Sequence, residues 1–163
     1  MIRIGLGRDL HRLVPGRSFL LAGVKLPSGL GEEGHSDGDV LAHAVIDALL
    51  GAAGLGDIGE FFPPGDPAWK DADSLKLLRI AWEKVRDRGW RPVNLDCVVV
   101  CEAPRVLPYR EPICAALAAV LELPREAVFV KGKTNEGLGP VGEGRAVEAL
   151  ALCLLERDNG IFT

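Results

Sequence analysis

Asp9 and His11 stand two residues apart behind an apolar run, Ile2 to Leu6, that reads as a short strand. In extended chain, residues i and i+2 project to the same side, so this carboxylate and this imidazole can converge on one ion. His43 lies in a helical pattern with Asp39 and Asp47 four residues to either side, which puts its ring on a polar face rather than on the stripe of Leu41, Val45 and Leu49. One carboxylate and two imidazoles form a ligand set suited to zinc with a fourth position left open, the arrangement of catalytic rather than structural zinc sites. Asp47 is a candidate to orient His43 from behind. Taken singly, each histidine is more readily explained as a hydrogen-bonded surface residue. All three histidines of the chain, His11, His35 and His43, nevertheless fall within its first 43 residues close to Asp or Ser, and that clustering favours a metal centre.

A second group lies near the other end of the chain. Gly132-Lys133-Thr134 nearly completes a phosphate-binding loop, but Val128, Phe129 and Val130 should be strand where that motif needs a flexible loop, and Asn135-Glu136-Gly137 follows where a helix should begin. Gly137 to Gly142 matches a dinucleotide-binding glycine pattern, yet too little chain remains for the second strand and its ribose-binding acid. Two readings stay open: a diphosphate contact made by Lys133, Thr134 and glycine amides, with Glu136 holding a hard cation, or an ordinary turn.

The elements that must position these groups are legible in outline. Phe19 to Leu26 reads as a strand or hairpin, and a helix follows from about Asp39, capped by Ser36 or Asp37 and ended by Gly51 to Gly56. Residues 57 to 72, rich in Pro, Gly and Asp, read as a loop long enough to act as a lid, and Asp73 or Ser74 caps a second helix running to about Arg88. Val93 to Cys101 reads as a core strand, Glu111 to Leu121 as a helix, Ala127 to Lys133 as a strand and Val147 to Arg157 as a final helix. The unit from 93 to 133 is then β-α-β, whose parallel strands place Cys101 to Leu107 and Lys133 to Glu136 on one sheet edge. The expected fold is α/β (α+β): a single-layer mixed β-sheet packed by helices, one domain over 1–163.

Bulk properties exclude several classes. With 163 residues, 48% hydrophobic and 26% charged, the chain has the composition of a globular protein rather than a disordered or fibrous one. A formal charge of −4 argues against a nucleic-acid surface, which needs clustered Lys and Arg. The longest apolar stretches, Val93 to Cys101 and Ile113 to Leu123, are far shorter than a bilayer span, so no membrane partner is expected. Met1 leads straight into the first strand without the pattern of a secretory leader, and the expected location is cytoplasmic. Cys97, Cys101, Cys114 and Cys153 form no CxxC pair and read as small buried hydrophobes.

Taken together, Gly5-x-Gly7-x-Asp9-x-His11, His35-Ser36-Asp37-Gly38-Asp39-Val40 with His43, Asp47-Ala48-Leu49-Leu50-Gly51 and Gly56-Asp57-Ile58-Gly59 resemble the 2-C-methyl-D-erythritol 2,4-cyclodiphosphate synthases. Phe62-Pro63-x-x-Asp66-Pro67, Ala72-Asp73-Ser74, Ala103-Pro104-x-x-Leu107-Pro108 and Thr134-x-Glu136-x-Leu138-Gly139 continue the resemblance in order along essentially the whole chain. It implies a metal-dependent, cyclising phosphorus-oxygen lyase of the non-mevalonate route to isoprenoid precursors, which turns 4-diphosphocytidyl-2-C-methyl-D-erythritol 2-phosphate into the cyclic diphosphate and CMP. It implies Zn2+ on Asp9, His11 and His43, Mg2+ or Mn2+ on Glu136 and the substrate diphosphate, and transition-state stabilisation by His35 and Thr134. Asp57, Ile58, Gly59, Phe62 and Asp66 would hold the erythritol part, and main chain across Ala103, Pro104, Arg105, Val106 and Leu107 would read cytosine. Asp9, His11, His35, Ser36, Lys133, Thr134, Asn135 and Glu136 complete the implied substrate contacts. A homotrimer with interfacial active sites is implied as well.

Gly142-Glu143-Gly144-Arg145 departs from that family's pattern, which commonly carries arginine near Glu143 and glutamate near Arg145, and Glu143 is given no site role. Two rival readings remain: a trimeric binding protein for nucleotide or isoprenoid diphosphates without turnover, and a zinc hydrolase whose water would yield a linear product.

Overall fold

The computed structural model describes residues 1–157. The last six positions of the expected domain, 158 to 163, lie outside the described residues. Elements follow in the order β1 (Ile2–Pro15), β2 (Phe19–Leu21), β3 (Val24–Leu26), β4 (Leu30–Glu32), α1 (Val40–Ala53), α2 (Ile58–Phe61), α3 (Ser74–Arg86), β5 (Arg91–Val100), α4 (Arg110–Leu121), β6 (Val128–Lys133), α5 (Gly139–Gly142) and β7 (Ala146–Glu156). The mixed sheet expected from sequence is present, five strands in the order β4-β1-β7-β5-β6, and β2 and β3 pair as a separate antiparallel hairpin. β5 and β6 are parallel, as the β-α-β pattern required, and the other pairs of the sheet are antiparallel.

The expected final helix over Val147 to Arg157 is instead β7, the middle strand of the sheet. Ala, Leu and Glu favour a helix locally. Burial in β7 alternates, with Val147, Ala149, Ala151, Cys153 and Leu155 at most 1% exposed, so the period of two rather than residue propensity decides the element. β1 is likewise longer than the expected strand and carries Asp9 and His11 within it rather than after it.

Gly5 and Gly7 account for the contact between β1 and α1. A Cβ at Gly5 would lie 1.9 Å from the Ala48 carbonyl oxygen, and one at Gly7 would lie 1.9 Å from that of Ala44. Only glycine allows the helix backbone to approach this closely. α1 thus seats on β1 and β7, α3 packs on α1 and α4, and α4 covers β6. The N-cap of α1 is Asp39, whose carboxylate accepts from Ala42 N, rather than the expected Ser36 or Asp37. Gly54, in the left-handed region at φ 70°, ends it. Residues 57 to 72 are not wholly loop: they contain α2, capped by Asp57, and a short 3-10 turn, Pro67–Trp69, capped by Asp66.

The helices cover one face of the sheet. On the other, alternate residues of β1 leave Ile2, Ile4 and Leu6 about two-thirds exposed, beside Leu152 of β7, with Phe129 exposed farther along on β6. An apolar sheet face that no described residue covers is a candidate interface. The four cysteines are free and buried, as expected, and burial pushes the thiols of Cys101 and Cys153 up to about 11, which keeps them unreactive.

Candidate active site

Asp9 and His11 project from β1 on the side facing α1, and His43 meets them from the first turns of that helix. Asp9 Oδ2 lies 2.9 Å from His11 Nε2 and 3.0 Å from His43 Nδ1. One candidate ligand atom from each residue falls within 4.8 Å of the others, the convergence expected from the spacing. The two rings stand edge to face with centroids 5.1 Å apart. Burial pushes the Asp9 carboxyl up, but the hydrogen bonds and positive charge offered by His11 and His43 outweigh it and hold the carboxyl well below its usual range. Burial lowers the His11 pKa, and Asp9 more than reverses that, so the net shift is upward.

The hydrogen-bond network assigns the His43 tautomer. The Ser74 hydroxyl donates to Asp37 Oδ1 and so can only accept from His43 Nε2, 3.0 Å away. Ser36 Oγ lies 3.1 Å from the same nitrogen and itself accepts from Gly38 N at 3.2 Å. With one proton fixed on Nε2, His43 meets the Asp9 carboxylate through Nδ1, 3.0 Å from Oδ2. That contact is either an N–H donated to the carboxylate or a lone pair that shares a cation with it. The donor set, two imidazole nitrogens and one carboxylate oxygen, fits a zinc-type divalent ion. Ser74, read from sequence only as a helix cap or motif residue, is therefore the group behind His43. Asp47 is not, because its carboxylate accepts from Ile58 N at 2.8 Å and anchors α2 instead.

These groups open onto a cavity of about 250 Å³ that also takes in His35, Ser36, Ile58, Gly59 and Phe62 of the expected set, with Pro64, Trp69 and Leu77. Phe62 and Trp69 meet edge to face at 5.1 Å and form its apolar wall. The Trp69 and Leu77 contributions went unmarked in the sequence, because a loop aromatic and a helix-face leucine carry no spacing signal. Asp57 and Asp66 occupy caps, accepting from Glu60 N and Ala68 N, at 2.9 Å each.

A second cavity, about 230 Å³, opens at the carboxyl ends of β5 and β6 and is lined by Cys101, Glu102, Pro104 to Leu107, Arg110, Gly132, Lys133 and Thr134. The β-α-β edge placed these two segments together as expected. Ala103 precedes Pro104 through a cis peptide bond. Glu102 Oε1 accepts from Asn135 N at 2.7 Å and ties the two segments, while Thr134 Oγ1 donates to Glu136 Oε1 at 2.7 Å.

The two cavities share no lining residue. Leu10 pairs with Glu148, Glu148 with Val100, and Val100 with Lys133, so both lie along one edge of the sheet but three ladder steps apart, about 14 Å. One copy of the chain does not merge them. Near this edge Glu143 accepts from Arg145 in a local ion pair, the departure noted in the sequence.

The chain matches the YgbB family over residues 2–156. A 2-C-methyl-D-erythritol 2,4-cyclodiphosphate synthase from Treponema denticola is 54% identical over 94% of this chain and 96% of its own length. Among solved structures, a 2C-methyl-D-erythritol-2,4-cyclodiphosphate synthase in its CDP-bound form superposes with a TM-score of 0.87 at 40% identity, covering 94% of this chain and 100% of that one. The bifunctional IspDF from Campylobacter jejuni superposes with a TM-score of 0.93 at 39% identity, covering 97% of this chain and 43% of that longer one.

Proposed function

The chain belongs to the YgbB family, the 2-C-methyl-D-erythritol 2,4-cyclodiphosphate synthases, and from that premise we propose how its residues divide the work of the reaction. The enzyme converts 4-diphosphocytidyl-2-C-methyl-D-erythritol 2-phosphate into 2-C-methyl-D-erythritol 2,4-cyclodiphosphate and CMP. An oxygen of the substrate's own 2-phosphate forms a bond to the β-phosphorus, the bond from that phosphorus to the α,β-bridging oxygen breaks, and CMP leaves with the electron pair. This is an intramolecular phosphoryl transfer in which water takes no part, and it places the enzyme among the cyclising phosphorus-oxygen lyases.

Asp9, His11 and His43 would hold Zn2+, and Glu136, with the substrate diphosphate, Mg2+ or Mn2+. Such cations supply positive charge to phosphate oxygens as the pentavalent centre forms. The single observation that carries this reading is the convergence of three ligand atoms within 4.8 Å beside a cavity lined by His35. His35 is exposed at the mouth of that cavity, where its ring can donate to the attacking phosphate. Ile58, Gly59 and Phe62 hold the methylerythritol part against an apolar wall, with Asp57 and Asp66 shaping the chain around it. Main chain from Ala103 to Leu107 reads cytosine, and Lys133, Thr134 and Asn135 take the diphosphate, with Thr134 and His35 together bracketing the transferred phosphorus.

Because the two cavities lie three ladder steps apart in one copy, the working site is formed between neighbouring copies of a homotrimer. The uncovered apolar face of β1, β7 and β6 supplies the interface. No described helix is long and apolar enough to cross a membrane, in keeping with the cytoplasmic location we assign. The chain over 1–163 acts as one catalytic domain.

The test is product analysis on purified protein given the diphosphocytidyl substrate. CMP together with a cyclic diphosphate, both lost on chelation and in His43→Ala, is the expected result. A linear, water-opened product would assign the cavity to a hydrolase, and no CMP from metal-loaded protein would assign it to a binding protein.

A further inference from the structure

Arg17 sits in the connection between β1 and β2, outside every motif of the site, and its guanidinium reaches the loop that carries His35 and Ser36. Nε donates to the Glu32 carbonyl at 3.1 Å, and Nη2 donates to the carbonyls of Ser36 at 2.6 Å and Gly34 at 3.4 Å. The carbonyl of the intervening residue, His35, accepts from Asp71 N at 2.9 Å. Arg17 Nη1 in turn lies 3.8 Å from the Asp71 carboxylate. Every main-chain acceptor from Gly34 to Ser36 is thus held, two by the Arg17 fork and one by a residue paired to it.

Two further observations mark the arrangement as built. Asp71 adopts φ 55°, a left-handed conformation costly for a residue with a side chain, and in that conformation it presents its N–H to His35. Gly31 lets the Arg17 main chain lodge against β4, since a Cβ there would lie 2.4 Å from the Arg17 carbonyl oxygen. The guanidinium is therefore anchored at its base and engaged at its tip. It joins the 34–36 loop to the 63–72 segment, the two stretches that face one another across the first cavity through His35, Ser36, Pro64 and Trp69.

We propose that Arg17 is a positioning residue of the cyclase, a clamp that sets the His35 ring and the Ser36 hydroxyl for the phosphoryl transfer without touching substrate. The proposal rests on the cyclodiphosphate synthase reading above for the role of His35. A planar fork spanning carbonyls of three residues is a task for arginine; an ammonium keeps the charge toward Asp71 but cannot span them.

Arg17→Met and Arg17→Lys test this in steady-state kinetics of CMP release, alongside amide hydrogen exchange of the peptide spanning residues 33 to 37. Arg17→Met is expected to lower kcat by between ~10- and ~100-fold, because a slight misplacement of an aligned group costs rate. KM should move by less than ~3-fold, since no substrate contact is removed. Exchange at 33 to 37 should quicken, and Arg17→Lys should fall between wild type and Arg17→Met. A folded Arg17→Met with wild-type kcat, a rise in KM alone, or unchanged exchange would overturn the clamp. If Arg17→Met does not fold, a folded Arg17→Lys with wild-type kcat and exchange overturns it equally. If the wild-type protein releases no CMP, the cyclase reading falls, while the exchange comparison still decides whether Arg17 holds the loop.

Discussion

Glu32 has its side chain fully buried beneath the site loop, where Oε2 accepts from Leu20 N at 2.8 Å and Oε1 meets no hydrogen-bond donor at bonding distance among the described residues. Burial pushes its carboxyl from the ordinary 4.5 up to about 9, so the folded protein holds a proton there at neutral pH. The sign of the linkage follows. Above pH 4.5 an unfolded chain has released that proton while the folded one keeps it until about 9, so this stability contribution is lost as pH rises through that window. The slope from one such group is at most about 1.4 kcal/mol per pH unit. Glu32→Gln, which keeps an acceptor for Leu20 N, should flatten it, giving urea midpoints that differ less between pH 5 and pH 8 than those of the wild type. His43 yields a second prediction at this scale. Ser74→Ala removes the nearer of the two hydroxyls that face the Nε2 proton, and zinc affinity measured by competition with a chelator should fall by roughly 10- to 100-fold.

At the scale of elements, the metal set depends on two that are joined by glycine. Asp9 and His11 ride on β1 and His43 on α1, and Gly5 and Gly7 set the distance between them. Gly7→Ala should destabilise the fold by about 3 kcal/mol, the upper end for overpacking, because the obstacle is the Ala44 backbone rather than a side chain that can turn away. Urea unfolding measures that cost. The same variant should bind zinc more weakly at temperatures where it remains folded, since the added methyl pushes the His43 helix away from Asp9. Unchanged zinc affinity would mean that the seat of α1 on β1 does not set the ligand distances.

At the scale of the molecule, one edge of one sheet carries both cavities, three ladder steps apart, and the proposed homotrimer would bridge them with a second copy. Co-expressing a His43→Ala chain with a Thr134→Ala chain under different tags tests this. In a trimer with shared sites, each mixed assembly regains one site in three, about a quarter of all sites when equal amounts of the two chains mix at random, because a sound metal cavity can meet a sound Thr134 across the interface. CMP release well above that of either variant alone is expected. If each chain carried a complete site, mixing would restore nothing.

Local chemistry was enough to read the metal set, because the i, i+2 geometry of an extended chain and the polar face of a helix are properties of short segments. The hairpin, α1, α3, α4 and the parallel pair of β5 and β6 were legible for the same reason, as periodicity with caps. The last strand was not. Ala146 to Glu156 is rich in helix formers, and its role as the middle strand depends on β1 and β5 offering two ladders to it, partners distant in sequence. The same holds for the polar groups behind the ligands. Whether Asp47, Ser74 or Ser36 stands behind His43, and whether Arg17 reaches the Gly34 and Ser36 carbonyls, depends on which loops the packed core brings together. The sequence by itself determined the chemistry and its local spacing. Tertiary structure alone decided the tautomer, the clamp and the separation of the two cavities, because each depends on contacts between segments that no local propensity encodes.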